Sequence, residues 1–304
     1  MKPEQFDQYK SSCNRVPLAR EVLADLDTPL SVYFKLANVP YSYLFESVQG
    51  GEKWGRYSII GLASKTRIKV YDHDVVVEHD DEILERKTVD DPLAYIEDYL
   101  QQFQVAELDC LPRFNGGLVG YFGYDTVRYI EPKLANCPNP DQHNTPDILL
   151  MLSDQLVVFD NLASRMFIIV YADPNEAGAY QRGQQRLDQL VAQITDGRIE
   201  YNQSQGSVRI DEDDFESGFT EEGFKRAVDR ARQYIIDGDA MQIVLSQRMS
   251  IPFELEPLDL YRALRGLNPS PYMYYLDLGD HHVVGSSPEI LVRLEEGEVT
   301  VRPI

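Results

Sequence analysis

A chain of 304 residues with 43% hydrophobic side chains has enough apolar material for a large core, and its length favours about two domains over one. Against 29 Lys plus Arg stand 50 Asp plus Glu, a formal net charge of -21 that repels nucleic-acid phosphates and anionic membrane, so neither is an expected partner. Cys13, Cys110 and Cys137 are widely spaced without a CxxC pair, and no apolar signal core or membrane-length run is present, which argues against a disulfide framework, a zinc site and secretion and points to the cytoplasm.

Thr28-Pro29 reads as an N-cap followed by proline at the first helical position and predicts a short helix through Tyr33, Phe34 and Leu36. Segments 41–47, 56–62, 66–71 and 75–78 are rich in β-branched and aromatic residues and are separated by turns, the pattern of an antiparallel meander. Asp91-Pro92 opens a helix whose Leu93, Ile96, Leu100 and Phe103 share one face, expected to lie across the sheet. Residues 116–122 predict a buried strand, and 155–159 with 166–171 a hairpin around Asp160-Asn161. Residues 174–194 turn helical and 195–218 polar, with Asp211, Glu212, Asp213, Asp214 and Glu216 crowded together. A solvated linker accounts for that run better than a cation site, because like charges in a loop stay hydrated.

Thr220 caps a further helix with Glu221 and Glu222 near its positive end, and Gly238 falls where a left-handed C-terminal residue belongs. Residues 241–251 alternate, predicting a strand with Met241, Ile243, Leu245, Met249 and Ile251 on one face and Gln242, Val244, Ser246, Arg248 and Ser250 on the other. A helix over 258–267 and strands from Tyr272, His282, Ile290 and Val299 follow. Paired strands between helices with few βαβ crossovers define an α+β class. The expected regions are 17–172, a helix and acidic linker over 173–218, and 219–304. The final VTVRPI reads as a strand entering a motif, as in a chain cut before its domain is complete. Gly50-Gly51-Glu52-Lys53 lacks the spacing of a phosphate loop, and the five histidines lack ligand spacing.

Three motifs stand in order near the end: GDAMQIVLSQR at 238–248, NPSPYMYYL at 268–276 and GSSPEILVR at 285–293. Together they resemble the opening of the chorismate-binding domain shared by anthranilate synthase component I, aminodeoxychorismate synthase component I, and the isochorismate and salicylate synthases. From Pro17 onward the chain looks most like the first of these. The resemblance implies two large antiparallel sheets packed nearly orthogonally with helices outside, a four-layer α/β/β/α arrangement. It also implies truncation at the C-terminus, with sheet edges and apolar surface left uncovered.

The resemblance further implies that chorismate is aminated and pyruvate eliminated to give anthranilate, with ammonia supplied by a glutamine amidotransferase subunit, anthranilate synthase component II, in a hetero-oligomer. Magnesium at the substrate carboxylate would offset the acidic field. Its ligands, a histidine base and most chorismate contacts are implied to lie beyond Ile304, so no metal ligand is expected within the chain, and a chain ending there is expected to be inactive alone. Gln242 occupies the position at which water-adding members carry a proposed lysine base. An amide takes no proton, whereas ammonia is already a competent nucleophile, so Gln242 points to amination. A polar residue on the wetter face of a strand is its bland alternative.

Glu289 resembles the carboxylate that the family keeps in its active-site region, with an exposed acid at a strand start as the competing account. Arg248 and Arg293 contribute at most positive potential. YLFESVQGGEKWGRYS, at 43–58, resembles the segment that binds the end-product inhibitor L-tryptophan: Glu46 and Ser47, with Pro271, Tyr272 and Met273 as partners, form the implied allosteric site. An indole needs an apolar slot with polarizable contacts, and the ligand's charged backbone needs a few fixed donors and acceptors. Two other readings stay beside this one. One is aminodeoxychorismate synthase component I, whose distinguishing lysine would follow Ile304 directly; the other is an inactive, tryptophan-binding fragment.

Overall fold

The computed structural model describes residues 1–47, 55–137, 141, 143–199, 201 and 210–302. The chain forms two compact units, Met1–Tyr201 with Leu260–Ile304, and Asn202–Asp259.

The first unit begins with α1 (Pro3–Asp7), β1 (Val16–Leu23), α2 (Pro29–Leu36), β2 (Ser42–Glu46), β3 (Tyr57–Gly61), β4 (Thr66–Tyr71), β5 (Asp74–His79) and β6 (Glu82–Thr88). It continues through α3 (Pro92–Gln101), β7 (Gly117–Phe122), α4 (Val127–Ile130), β8 (Ile148–Ser153), β9 (Gln155–Asp160), β10 (Arg165–Ala172) and α5 (Ala179–Asp196). The second unit holds β11 (Glu216–Ser217), α6 (Glu221–Ile236) and β12 (Met249–Ser250). Then follow α7 (Pro257–Leu267), whose first turn still belongs to the second unit, and β13 (Tyr272–Asp277), β14 (His282–Ser287), β15 (Arg293–Glu295) and β16 (Glu298–Thr300).

Two antiparallel sheets dominate, one of seven strands in the order β1-β10-β9-β3-β2-β13-β14 and one of five in the order β6-β5-β4-β8-β7. The expected single meander over 41–78 is corrected here, because β2 and β3 belong to the first sheet and β4 and β5 to the second. The crossing is made at Ser64, whose hydroxyl donates to the carbonyls of Thr66 (2.8 Å) and Leu152 (3.0 Å) and whose N–H donates to Tyr41 (2.8 Å). The chain crosses back beside it, between β8 and β9, where Leu62 N–H donates to Gln155 O at 3.0 Å. Each corner thereby satisfies the backbone groups that leave one ladder before the next begins.

Tyr43, Val119, Leu149, Met151, Leu276 and Leu278 form a buried cluster joining the two sheets. Tyr43 spans the layer and its hydroxyl meets Ser153 Oγ at 2.7 Å. α5 buries Leu187, Leu190 and Ile194 and packs with α2 on the first sheet, while α3 places Ile96 with Ile68, Val70, Val75 and Ile148 of the second. The layers are therefore helix, sheet, sheet, helix, the α+β arrangement expected. Leu100, assigned to the buried face of α3, is 42% exposed, and Tyr95 and Tyr99 pack against the core instead. A wide aromatic ring reaches the sheet from a flank that leucine cannot cover.

The caps behave as the sequence dictates. Thr28 Oγ1 accepts from Ser31 N–H at 3.1 Å while Ser31 Oγ accepts from Thr28 N–H at 2.9 Å. Thr28→Ala should therefore cost about 1 kcal/mol, read as a lower urea midpoint at unchanged slope. Asp91 caps α3 through Leu93 and Ala94 N–H, and Thr220 caps α6 through Gly223 N–H. Gly238 ends α6 at φ 84°, inside the left-handed region.

The alternating segment 241–251 is a second correction. Only Met249–Ser250 is extended and paired, with β11, and Met241 and Val244 are 98% and 79% exposed. Alternation makes a strand only where a neighbour takes its backbone groups, and among the described residues β11 offers two.

Candidate functional site

Antiparallel register places Met273 opposite Glu46 and Tyr274 opposite Phe45, so two segments distant in sequence share one stretch of ladder. A cavity of about 600 Å³ lies against it, lined by all five residues assigned to an inhibitor site, Glu46, Ser47, Pro271, Tyr272 and Met273. Phe45, Ile59, Tyr274 and Leu276 contribute from the first sheet, and Gly120 and Tyr121 from the second. The aromatic walls suit a flat ring.

Sequence reasoning missed several of these contributors. Tyr274 lies two residues beyond Tyr272 and so projects from the same strand face, a signal that period-two reading could have used. Its ring lies across Gly285, where an added Cβ would fall 2.0 Å from it. Gly285→Ala should displace that ring and reshape the cavity, costing about 1–3 kcal/mol of stability, measurable by denaturation. Tyr121 donates its hydroxyl to Pro146 O at 2.7 Å, and burial pushes its pKa up to about 12.

Arg56 supplies positive charge to the cavity wall. Its guanidinium donates to both oxygens of buried Asp160 at 2.6–3.0 Å and lies 5.0 Å from the Tyr57 ring centre. Those hydrogen bonds hold the Asp160 carboxyl below its ordinary value. The stabilisation is thus complete above the unfolded carboxylate value of about 3.9 and is lost as pH falls through the lowered folded value. An acid titration should show Asp160→Asn removing part of the stability loss in that window.

Glu46 behaves unlike its neighbours. Its carboxylate is 2% exposed and is taken by α7: Oε2 accepts from Tyr261 Oη at 2.7 Å and Arg265 Nε at 2.9 Å, and Oε1 from Arg265 Nη2 at 3.0 Å. Burial, and then the Glu46 charge, push the Tyr261 pKa up, and hydrogen bonding to Glu46 raises that of Arg265. The i, i+4 pair Tyr261 and Arg265 was visible in the sequence, but nothing local named its partner.

Gln242 and Glu289 are not brought into the cavity wall. Gln242 is exposed in the second unit, and Glu289, half-buried between β14 and β15 in the first, accepts through its backbone carbonyl from Ser287 Oγ at 2.9 Å. A second cavity of about 1190 Å³ shares Arg56, Tyr57, Ile59 and Tyr272 with the first and extends to Ile290 and Arg293 of the third motif. Among the described residues, no group of three or more His, Cys, Asp or Glu side chains converges on one position. No described helix is long and apolar enough to cross a membrane.

A two-sheet α+β body carrying these motifs belongs to the chorismate binding enzyme family, whose sequence model matches residues 41–304. The chain is similar to anthranilate synthase component 1 of Pseudomonas aeruginosa, 57% identical over 296 residues, covering 96% of this chain and 59% of that protein. The same enzyme component of Neisseria meningitidis serogroup B is 49% identical over 306 residues, covering 100% and 61%. The crystal structure of anthranilate synthase component I from Streptococcus pneumoniae superposes with a TM-score of 0.66 at 26% identity, covering 92% of this chain and 60% of that one. The chain therefore spans about three-fifths of the length of the curated relatives it matches.

Proposed function

We propose that this chain is part of the large component of an anthranilate synthase, an enzyme forming anthranilate and pyruvate from chorismate and ammonia, and that the 600 Å³ cavity binds L-tryptophan as feedback inhibitor. The observation that carries the second part is the convergence of the described parts of the 43–58 motif, 43–47 and 55–58, with the 268–276 motif on one aromatic-walled space, 48–54 lying outside the described residues. The first part is supported by the names of the relatives, by the family match, and by an amide at Gln242 where water-adding members carry a base. Glu289 is proposed to belong to the active-site region. The same reading includes cytoplasmic location, a glutamine amidotransferase subunit that delivers ammonia, and magnesium at the substrate carboxylate.

Calorimetry with L-tryptophan tests the regulatory part, after circular dichroism has established that parent and Ser47→Phe proteins share one fold. Ser47 lies in the cavity wall, so a phenyl ring there should fill the space an indole needs and weaken binding by about tenfold or more, about 1.4 kcal/mol. Equal heats in the two proteins would remove Ser47 from the site.

A further inference from the structure

Strand alternation separates the residues of the cavity wall into two kinds. Phe45 and Tyr274 join the aromatic and aliphatic side chains between the sheets, whereas Glu46 and its ladder partner Met273 point to the opposite face. Both line the cavity, yet Glu46 is 4% exposed, Met273 is 1% exposed, and the carboxylate is committed to α7. What these two residues offer a ligand is therefore main chain. A buried carboxylate that already accepts from three donors on the far side of a strand is turned away from a ligand's ammonium group.

We infer that Glu46 is a positioning residue that passes occupancy of the cavity to α7: a ligand bound to the main chain of β2 and β13 shifts the strand pair, and the Glu46 carboxylate carries the shift to Tyr261 and Arg265. This rests on the tryptophan reading above. Packing supplies a stiff path. The Tyr261 ring lies 5.9 Å from that of Tyr275, on the same face of β13 as Met273, and Tyr275 meets Tyr33 of α2 edge-on at 5.7 Å. Tyr33 and Tyr261 are fully buried and Tyr275 nearly so, so displacement of the strands cannot be absorbed in empty space. α7 is also the segment through which the chain returns from the second unit, which contains Gln242, to the first.

The test pairs calorimetry with hydrogen exchange over α7, with and without L-tryptophan, in the parent protein, Tyr261→Phe and Glu46→Gln. In the parent, binding should alter α7 exchange by about fivefold or more. Both variants should still bind with little change in affinity while the α7 response shrinks or disappears. Three results would overturn the inference: binding weakened about tenfold or more in Glu46→Gln and Tyr261→Phe alike, an undiminished α7 response in both, or binding to the parent with α7 unmoved. Absence of binding to the parent would instead remove the tryptophan reading and this inference with it. Should Glu46→Gln fail to fold, Tyr261→Phe, which deletes a single hydroxyl, decides the outcome.

Discussion

Glu46→Ala should lower the stability of the chain by about 3 kcal/mol, the low end of what breaking a buried ion pair costs. The carboxylate is 2% exposed, and its removal strands the buried Tyr261 hydroxyl and two guanidinium N–H groups without their acceptor. Arg265 is 37% exposed and recovers some hydration, which holds the loss at the low end. Glu46→Gln keeps one acceptor oxygen and should lose about 2 kcal/mol, the worth of a hydrogen bond to a charged group. Urea unfolding of both variants, and of Glu46→Leu combined with Arg265→Met, measures this. The double variant should be more stable than Glu46→Ala, because a matched apolar pair leaves no uncompensated charge.

Gly61→Ala is expected to cost about 4 kcal/mol, combining overpacking with the loss of a buried hydrogen bond. A Cβ at position 61 would lie 1.9 Å from Tyr43 Cε1, so the ring must leave its place across the strand. Moving it breaks the contact with Ser153 that ties the two sheets and disturbs the neighbouring Phe45 ring, 4.8 Å away by centroid, in the cavity wall. Thermal unfolding compared with Tyr43→Leu and with the combined variant checks the cause. With the ring already gone, the added methyl should cost far less than in the parent, a strongly non-additive pair.

The sequence was most legible where the responsible physics is local. Thr28, Asp91 and Thr220 cap their helices as read, because a cap needs only a side-chain oxygen and the next two or three N–H groups. The hairpin at Asp160-Asn161 and the strand at Thr66–Tyr71 are likewise written into short patterns. Partnership was not legible. Nothing in the run from Tyr41 to Glu78 announces that Ser64 turns the chain from one sheet into the other, since alternation encodes faces and not neighbours. The same gap explains 241–248, whose pattern suits a strand but whose described surroundings provide only β11.

The candidate site shows the same division. The motifs supply the first-sheet side of the cavity, where the register brings them together, yet the orientation of Glu46 depends on Arg265, a residue no local rule connects to it. The five residues assigned to an inhibitor site were read as a set because the family resemblance groups them, although they stand in two segments far apart in sequence. The fold turns the side chains of two of them, Glu46 and Met273, to the face away from the space between the sheets.

Because β2 borrows half of its ladder from β13, the protein cannot finish this pocket in the order in which a ribosome makes it. At about 5–20 residues per second, β2 must wait on the order of ten to fifty seconds for its neighbour to emerge. Meanwhile one flank of β2, with its unpaired amides and aromatic side chains, is bare. Nascent chains should therefore be most vulnerable to misassociation during this interval, and any occupant of the cavity begins to protect them only once synthesis has passed the strand that closes its berth.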